Sequence, residues 1–158
     1  MALTFRSATE ADTGLILQFI RALAEYEKMQ DLVVADEELL ADQLFQKKNA
    51  EVIFAMEEGK EVGFALFFHN FSTFLGRSGL YLEDLFVYPE YRGKGYGRQM
   101  MEHWESVMQR MKYKYVMLST QEDETAKYFY EKLGYRRIGA FLPPEQDADE
   151  IMYLKMLE

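Results

Sequence analysis

A glycine-rich turn between an apolar segment and an amphipathic segment is the feature that most limits what this chain can fold into. The turn, Tyr91-Arg92-Gly93-Lys94-Gly95-Tyr96-Gly97, follows the apolar stretch 80–87 and Pro89. Glycines at alternate positions remove side chains that would keep a ligand away from the backbone, and they permit positive φ. A helix beginning directly after the turn would add free N–H groups and the positive end of its dipole. This arrangement predicts a site for a diphosphate.

Basic side chains accompany the turn in a chain that is otherwise acidic. Arg92, Lys94 and Arg98 lie in or beside it, whereas the whole chain has a formal net charge of -9. Two common phosphate loops do not fit. The Walker A pattern requires Ser or Thr after Gly-Lys, and Lys94 is followed by Gly95. The dinucleotide fingerprint requires a third glycine where this chain has Arg98 or Met100. The spacing therefore predicts an anion site without identifying the nucleotide.

Composition and charge exclude several classes of protein. The 158 residues include no cysteine, which excludes disulfides, thiolate zinc sites and a cysteine nucleophile. No apolar run approaches the ~20 residues of a membrane span, so we expect a soluble, cytoplasmic protein with no membrane partner. The net charge argues against a nucleic-acid partner. The negative charge either increases solubility or attracts a cationic substrate. We expect residues 1–158 to form a single domain.

The order of periodic segments predicts a mixed α/β fold of the α+β type, with about six to seven strands in a mostly antiparallel sheet flanked by about four helices. Strands are expected near residues 3–7, 52–56, 62–68, 80–87, 115–119, 135–141 and 151–156. The turn at 57–60 indicates a hairpin between the second and third of these.

Capping residues set the limits of the predicted helices. A capping box from Thr9 to Asp12 precedes the first helix, which is expected to end near residues 26–28. Asp36 opens the second helix, and the third is expected over about 98–111. The fourth spans 125–133 and ends at Gly134 in a left-handed C-cap. The residues expected on the buried side of the second helix are Leu39, Leu40, Leu44 and Phe45.

Two blocks of sequence resemble the signatures of the GNAT superfamily of N-acetyltransferases. The turn from Arg92 to Gly97 matches its Arg-x-x-Gly-x-Gly pattern, with Leu85-Phe86-Val87 upstream. Further along, Ala126-Lys127-Tyr128-Phe129-Tyr130-Glu131-Lys132-Leu133-Gly134-Tyr135 is similar to the second signature. The resemblance implies the GNAT fold, acetyl-CoA as co-substrate and no metal.

The resemblance also implies roles for individual residues. Tyr130 matches the general acid beside the CoA sulfur, and Glu83 matches the carboxylate that faces the amine and acts as base directly or through water. Backbone N–H groups from Leu85 to Val87 would stabilise the oxyanion if the strand is locally splayed. The residues expected to bind acetyl-CoA are Leu85, Phe86, Val87, Arg92, Gly93, Lys94, Gly95, Tyr96, Gly97, Arg98, Asp123 and Lys132.

Within the superfamily, two blocks are most similar to the diamine acetyltransferases, the spermidine/spermine group and its thialysine-acetylating relatives. The blocks are residues 23–27 and 80–87. The resemblance implies a homodimer that acetylates a primary amine of a small cation, held by Tyr26, Glu27, Glu83 and Asp84. The chain departs from this group at 72–77, which lacks an acid and adds Arg77, and at Asp123, where the superfamily usually has Asn.

Other interpretations of the same residues stay open at this point. Tyr130 fits a core aromatic, Glu83 and Asp84 fit an exposed strand end, and Tyr26 and Glu27 fit an ordinary helix surface. Two alternatives for function also remain. One is an acetyltransferase for another amine, such as an amino sugar or a protein N-terminus, and the other is a CoA-binding protein without turnover.

Overall fold

The structure is a computed structural model that describes residues 3–121, 125–141 and 150–157. The chain divides into two compact units. The first unit comprises Met1–Phe68 and Asp84–Met101, and the second comprises His69–Glu83 and Glu102–Glu158. The prediction that residues 1–158 act as one domain stays a prediction.

The described residues contain seven strands and four α-helices, as the sequence predicts. The strands are β1 (Thr4–Ser7), β2 (Glu51–Glu57), β3 (Lys60–Ser72), β4 (Arg77–Val87), β5 (Tyr115–Gln121), β6 (Arg136–Phe141) and β7 (Glu150–Met156). The helices are α1 (Thr13–Tyr26), α2 (Glu37–Leu40), α3 (Tyr96–Arg110) and α4 (Ala126–Lys132). The strand order is β1-β2-β3-β4-β5-β7-β6. The pairs β1–β2, β2–β3, β5–β7 and β6–β7 are antiparallel and β4–β5 is parallel, which confirms a mixed, mostly antiparallel sheet.

The first unit is built around a β-hairpin and an aromatic core. Strands β2 and β3 meet at a turn in which Glu58 and Gly59 both have positive φ, at 50° and 80°. These angles suit a two-residue hairpin turn, so the predicted hairpin is confirmed. The buried core residues are Ile16, Phe19, Leu44, Val52, Phe54, Phe64 and Phe86. The Phe19 ring stacks on Phe64 at 5.1 Å and on Tyr88 at 4.6 Å. This core fixes the carboxyl end of β4, where Phe86 and Tyr88 lie.

The predicted caps of the first two helices are confirmed, but one predicted core residue is wrong. The Thr9 backbone donates to the Asp12 carboxylate at 2.7 Å and caps a short 3-10 turn before α1, and Asp36 accepts from the Leu39 N–H at 2.8 Å. Leu39 was expected to be buried, yet it is 51% exposed. After Leu40 the helix continues as a π-helix over Ala41–Gln46. Leu44 is buried, and Leu40 and Phe45 pack against the core, while Leu39 stays outside. Leu40 and Leu44 are four residues apart and share one face of the helix, whereas Leu39 is displaced from that face.

In the second unit, β5 lies between β4 and β7. Residues Leu80–Leu82 of β4 pair with Val116–Leu118, and all of β5 pairs with β7. Gly79 is needed because a Cβ there would overlap the Tyr115 ring. Helix α4 begins after Thr125 and is followed by Gly134 with φ of 95°, which confirms the predicted left-handed C-cap.

Candidate active site

The glycine turn of the first unit has the backbone geometry that the sequence predicts for anion binding. Gly93 and Gly95 have φ of 80° and 78°, and both are exposed. A Cβ at either position would meet no atom within 4 Å, so backbone conformation rather than space selects glycine there. Helix α3 begins at Tyr96, two residues earlier than expected, and therefore includes Gly97. The free N–H groups of the first turn of α3 follow the exposed glycines directly.

An acidic side chain lies beside this turn, and sequence reasoning did not find it. The buried Tyr96 donates a hydrogen bond from its hydroxyl to the Glu57 carboxylate, which raises the pKa of Tyr96 to about 12. The Lys94 ammonium lies 3.8 Å from the same carboxylate. It also lies 5.5 Å from the Tyr91 ring centre. Lys94, which was expected to attract a phosphate, is thus already close to the Glu57 carboxylate.

The side chain of Arg92 points to the end of β4 and to helix α1. Its Nε donates to the Val87 carbonyl at 2.9 Å. Its guanidinium carbon lies 4.1 Å from the centre of the Tyr26 ring and 5.1 Å from that of Phe86. The structure therefore brings the predicted site residue Tyr26 of α1 beside three others that are far from it in sequence, Phe86, Val87 and Arg92.

The end of β4 depends on a glycine in the neighbouring hairpin. A Cβ at Gly63 would lie 2.8 Å from the Phe86 carbonyl oxygen, so a side chain there would displace this segment. The Tyr88 N–H donates to the Val62 carbonyl at 3.0 Å. Among the residues expected to bind the acetyl group, Phe86 and Val87 are buried and Leu85 is partly exposed. An isolated glycine inside a predicted strand often marks a close approach of another backbone, and this signal was not used for Gly63.

The three predicted acceptor-site residues of the first unit lie near the surface. Tyr26 is the last residue of α1 and is 52% exposed, and Glu27 follows as the exposed C-cap. Asp84 is partly exposed in β4. Glu27 and Asp84 each make further interactions within the structure.

Glu83 is in the second unit, at the point where pairing between β4 and β5 stops. The parallel register ends at Leu82 opposite Leu118, and Glu83 is exposed. Tyr81 lies two residues before Glu83, and its hydroxyl donates a hydrogen bond to Ser119 Oγ of β5 at 3.0 Å.

Tyr130 lies on α4 and is held by aromatic neighbours. Its ring meets Phe129 edge-on at 5.0 Å and Tyr135 at 5.7 Å, and it is partly exposed. Burial and the Glu105 carboxylate raise the pKa of Tyr135 far above its ordinary value, so Tyr135 stays neutral. Lys132 is exposed in the last turn of the same helix.

Strand β7 and helix α3 anchor the end of α4. The Lys155 ammonium donates to the Leu133 carbonyl at 2.6 Å and to Glu105 at 2.7 Å. A cation at this position also opposes the negative end of the helix dipole. The Tyr153 hydroxyl donates to Glu131 at 2.8 Å. These contacts fix the helix that carries Tyr130.

The predicted site residues are divided between the two units, and one of them lies outside the described residues. Tyr26, Glu27 and the residues 84–98 belong to the first unit, whereas Glu83, Tyr130 and Lys132 belong to the second. Asp123 lies outside the described residues. In the described part of the chain, no three His, Cys, Asp or Glu side chains are grouped as metal ligands, and no helix there is long and apolar enough to cross a membrane.

Comparison with known proteins identifies the family. The model of the acetyltransferase (GNAT) domain matches residues 48–137, which is more than half of the chain. The chain belongs to the GNAT acetyltransferase family. The structure of yncA, a putative acetyltransferase from Salmonella typhimurium with its cofactor acetyl-CoA, aligns with a TM-score of 0.75 at 19% identity, covering 100% of this chain and 95% of that one. A putative acetyltransferase of the GNAT family from Desulfovibrio desulfuricans aligns with a TM-score of 0.79 at 18% identity, covering 99% of this chain and 100% of that one, which shows that the chain has the GNAT fold.

Two curated relatives are similar over part of their length. The thialysine N-epsilon-acetyltransferase of Bos taurus is 42% identical, with 61% of this chain and 62% of that protein covered. The L-ornithine N5-acetyltransferase NATA1 of Arabidopsis thaliana is 28% identical, with the same coverage of 61% and 62%. The chain thus spans less than two thirds of these relatives.

Proposed function

We propose that this GNAT protein transfers the acetyl group of acetyl-CoA to a primary amine of a small cationic acceptor, such as a diamine, a polyamine or a lysine- or thialysine-like amino acid. The observation that carries the proposal is the turn in which Gly93 and Gly95 have positive φ and are followed at once by α3. Its exposed N–H groups and the helix dipole suit the diphosphate of CoA. On this proposal, residues 1–158 act as one acetyltransferase domain.

Residues beside the turn would hold the rest of the co-substrate. Lys94 and Arg98 would add positive charge near the phosphates, and Asp123 and Lys132 are assigned to the same role by resemblance. The end of β4, fixed by the close approach of Gly63, would hold the acetyl group through backbone N–H groups of Leu85 to Val87.

The acetyl group would pass directly to the amine in a ternary complex. Glu83 accepts a proton from the ammonium, directly or through water, because only the neutral amine carries the lone pair that attacks the thioester carbonyl. Backbone N–H groups at the end of β4 stabilise the oxyanion. The carbon–sulfur bond then breaks, and Tyr130 donates a proton to the departing thiolate. The products are an acetylated amine and CoA with a free thiol, so no covalent enzyme intermediate is needed.

The choice of amine rests on charge and on the curated relatives. Tyr26, Glu27 and Asp84 offer an aromatic face and carboxylates, which suit an ammonium group. The net charge of -9 would favour the approach of a cation. The two relatives carry names that specify the side-chain nitrogen of an amino acid, thialysine in one and L-ornithine in the other. We also propose that the protein is a homodimer in the cytoplasm.

A thiol-release assay tests this function. Purified protein and acetyl-CoA are incubated with a panel of amines. The panel contains thialysine, L-ornithine, lysine, spermidine, a diamine, an amino sugar and a peptide with a free N-terminus. We expect thiol release with at least one small cationic amine. Turnover of the amino sugar or the peptide, with none of the small cations active, would refute the assigned acceptor class. Light scattering on the same sample tests the homodimer.

A further inference from the structure

We propose that Ser119 is a positioning residue for the proposed base Glu83, and that Tyr81 sets the direction in which the Ser119 hydroxyl donates. This inference rests on the proposed function, because it concerns how the second unit orients the carboxylate that takes a proton from the amine. All three residues belong to the second unit. Ser119 had no predicted role in the site.

The three side chains lie on one face of strands β4 and β5. The parallel register of these strands ends with the pair Leu82 and Leu118. Both leucines point to the buried face, where they are 3% and 1% exposed. Because side chains alternate between the two faces of a strand, Tyr81, Glu83 and Ser119 lie on the opposite face. Glu83 and Ser119 are thus the first residues on this face beyond the last paired residues, one on each strand.

The hydrogen bond between Tyr81 and Ser119 determines where the serine proton is directed. The Tyr81 hydroxyl donates to Ser119 Oγ at 3.0 Å. A phenol is more acidic than an alkyl hydroxyl, so the phenol is the donor in such a pair. A serine hydroxyl carries one proton of its own in addition to its acceptor lone pairs. Because Tyr81 supplies the proton of this bond, Ser119 can donate its own proton to a different acceptor.

Glu83 supplies an acceptor at the corresponding position of β4. An ionised carboxylate only accepts hydrogen bonds. Glu83 is exposed and Ser119 is partly exposed, so one water molecule can complete the contact where the strands are no longer paired. A hydrogen bond from Ser119, direct or through this water, would restrict the rotamers of the Glu83 side chain. A base must lie within hydrogen-bond reach of the proton that it removes, so this restriction raises the rate.

The same face carries a second tyrosine whose hydroxyl bond is farther from Glu83. Tyr115, four residues before Ser119, donates to Asn70 Oδ1 at 2.9 Å. Its ring occupies the space next to Gly79, where a Cβ would overlap it. The bonds of Tyr81 and Tyr115 are therefore alike in kind and length, but only that of Tyr81 reaches the residue level with Glu83. Tyr115 consequently provides a control within the same pair of strands.

Substitutions of Ser119 that differ only in the hydroxyl test the inference in steady-state kinetics. Valine and threonine have nearly the same shape, and both suit a strand. We expect Ser119→Val to lower kcat about tenfold and Ser119→Thr to stay within about twofold of the wild type. The Kd for acetyl-CoA should change less than about twofold in both variants, because the hydroxyl acts on the base and not on the co-substrate.

The two tyrosines separate an effect on Glu83 from a general effect on the sheet. Tyr81→Phe should lower kcat about threefold, because Ser119 then keeps its hydroxyl but loses the bond that directs it. Tyr115→Phe is the matched control, and it should leave kcat unchanged even where it lowers stability. Equal losses of kcat in Tyr81→Phe and Tyr115→Phe would overturn the role of Tyr81.

A combination with Glu83 shows whether Ser119 acts through the base. In a Glu83→Gln background, Ser119→Val should change kcat by less than about twofold, because the carboxylate that Ser119 positions is absent. The inference is overturned if Ser119→Val lowers kcat by the same factor in both backgrounds. It is also overturned if Ser119→Thr loses as much activity as Ser119→Val, or if Ser119→Val leaves kcat unchanged.

A stability measurement keeps the inference testable if no amine is turned over. A double-mutant cycle of Ser119→Val and Glu83→Ala, read by urea unfolding, should be non-additive, whereas a cycle of Tyr115→Phe and Glu83→Ala should be additive. Additivity in the first cycle would overturn the contact between Ser119 and Glu83. Non-additivity there, with a complete lack of turnover in the wild type, would count against the proposed function alone.

Discussion

The Tyr96 hydroxyl donates a hydrogen bond to the Glu57 carboxylate, and this bond holds a negative charge beside the glycine turn. The same carboxylate lies 3.8 Å from the Lys94 ammonium. A diphosphate entering the turn would be repelled by Glu57 and would compete with it for Lys94. Glu57 should therefore weaken the binding of an anion at the turn. Weaker binding of the diphosphate would favour release of the product CoA.

Glu57→Gln should strengthen acetyl-CoA binding about three- to tenfold at low salt, because it removes the repulsion and frees Lys94 while the amide oxygen still accepts from Tyr96. Titration calorimetry measures the change, and the gain should shrink as salt is added. Glu58→Gln is the matched control, since it removes the same charge from the exposed neighbouring position. Equal gains for the two variants would mean that overall charge, and not the contact with Lys94, is responsible.

Gly95→Ala should weaken acetyl-CoA binding by at least tenfold, because alanine resists a φ of 78° and the turn would rearrange. The cost in the free energy of unfolding is about 1–2 kcal/mol. Gly59→Ala is a matched control, since Gly59 has φ of 80° in the hairpin turn and likewise has no neighbour for a Cβ. It should lose similar stability yet keep its affinity. If both variants bound acetyl-CoA like the wild type, the diphosphate site would lie elsewhere.

The pH dependence of stability should reveal the ion pairs at the start of the chain. Arg6 donates to Asp12 and Glu61, each at 2.8 Å, which lowers the pKa of Asp12 to about 2 and lowers that of Glu61. A carboxyl group with a depressed pKa stabilises the fold above its ordinary pKa near 4, and this contribution is lost as the pH falls toward 2.

Asp12→Asn should therefore reduce the free energy of unfolding by about 1–2 kcal/mol at pH 7, a range that allows for the partial exposure of these side chains. Urea unfolding between pH 7 and pH 2 measures the difference, which should disappear at the acid end. The exposed Asp31 provides the control, because Asp31→Asn should change stability little at any pH. A constant difference across the pH range would show that the charge of Asp12 is not the cause.

Local features of the fold were predictable from the sequence, and contacts over long separations were not. The hairpin turn at Glu58-Gly59, the Asp36 cap and the Gly134 C-cap depend on neighbours within a few residues, so their patterns identified them. The burial of Leu39 was predicted wrongly, because the face that packs against the core is the one shared by Leu40 and Leu44, and apolar character alone does not identify that face.

The candidate site likewise combines local features that the sequence predicts with long-range contacts that it does not. The glycine turn was predictable because its spacing and the helix that follows it are local. The contact of Glu57 with Tyr96, the stacking of Arg92 on Tyr26 and the approach of Gly63 to Phe86 all join separate elements. Charge and position along the chain suggested only that Arg92 would bind an anion. The direction of its side chain depends on β4 and α1, which the sequence does not place relative to the turn.

Variants of the two proposed catalytic residues test the chemistry. Tyr130→Phe should lower kcat by roughly 100-fold or more while changing acetyl-CoA affinity little, because a general acid acts mainly in the transition state. Tyr128→Phe, at a 56% exposed position of α4, serves as the control. Glu83→Gln should shift activity toward higher pH, where solvent can deprotonate the amine. Unchanged pH–rate profiles for both variants would remove Glu83 and Tyr130 from the mechanism.

Identification of the product by mass spectrometry tests acetyl transfer to a small amine most directly. The purified protein is incubated with isotopically labelled acetyl-CoA and, separately, with thialysine, L-ornithine and spermidine, and the acetylated position is located by fragmentation. We predict one labelled acetyl group on a side-chain or terminal primary amine of at least one of these compounds, formed in proportion to free CoA thiol. Intact acetyl-CoA with every one of these amines, in a protein that calorimetry shows to bind acetyl-CoA, would contradict the proposed reaction.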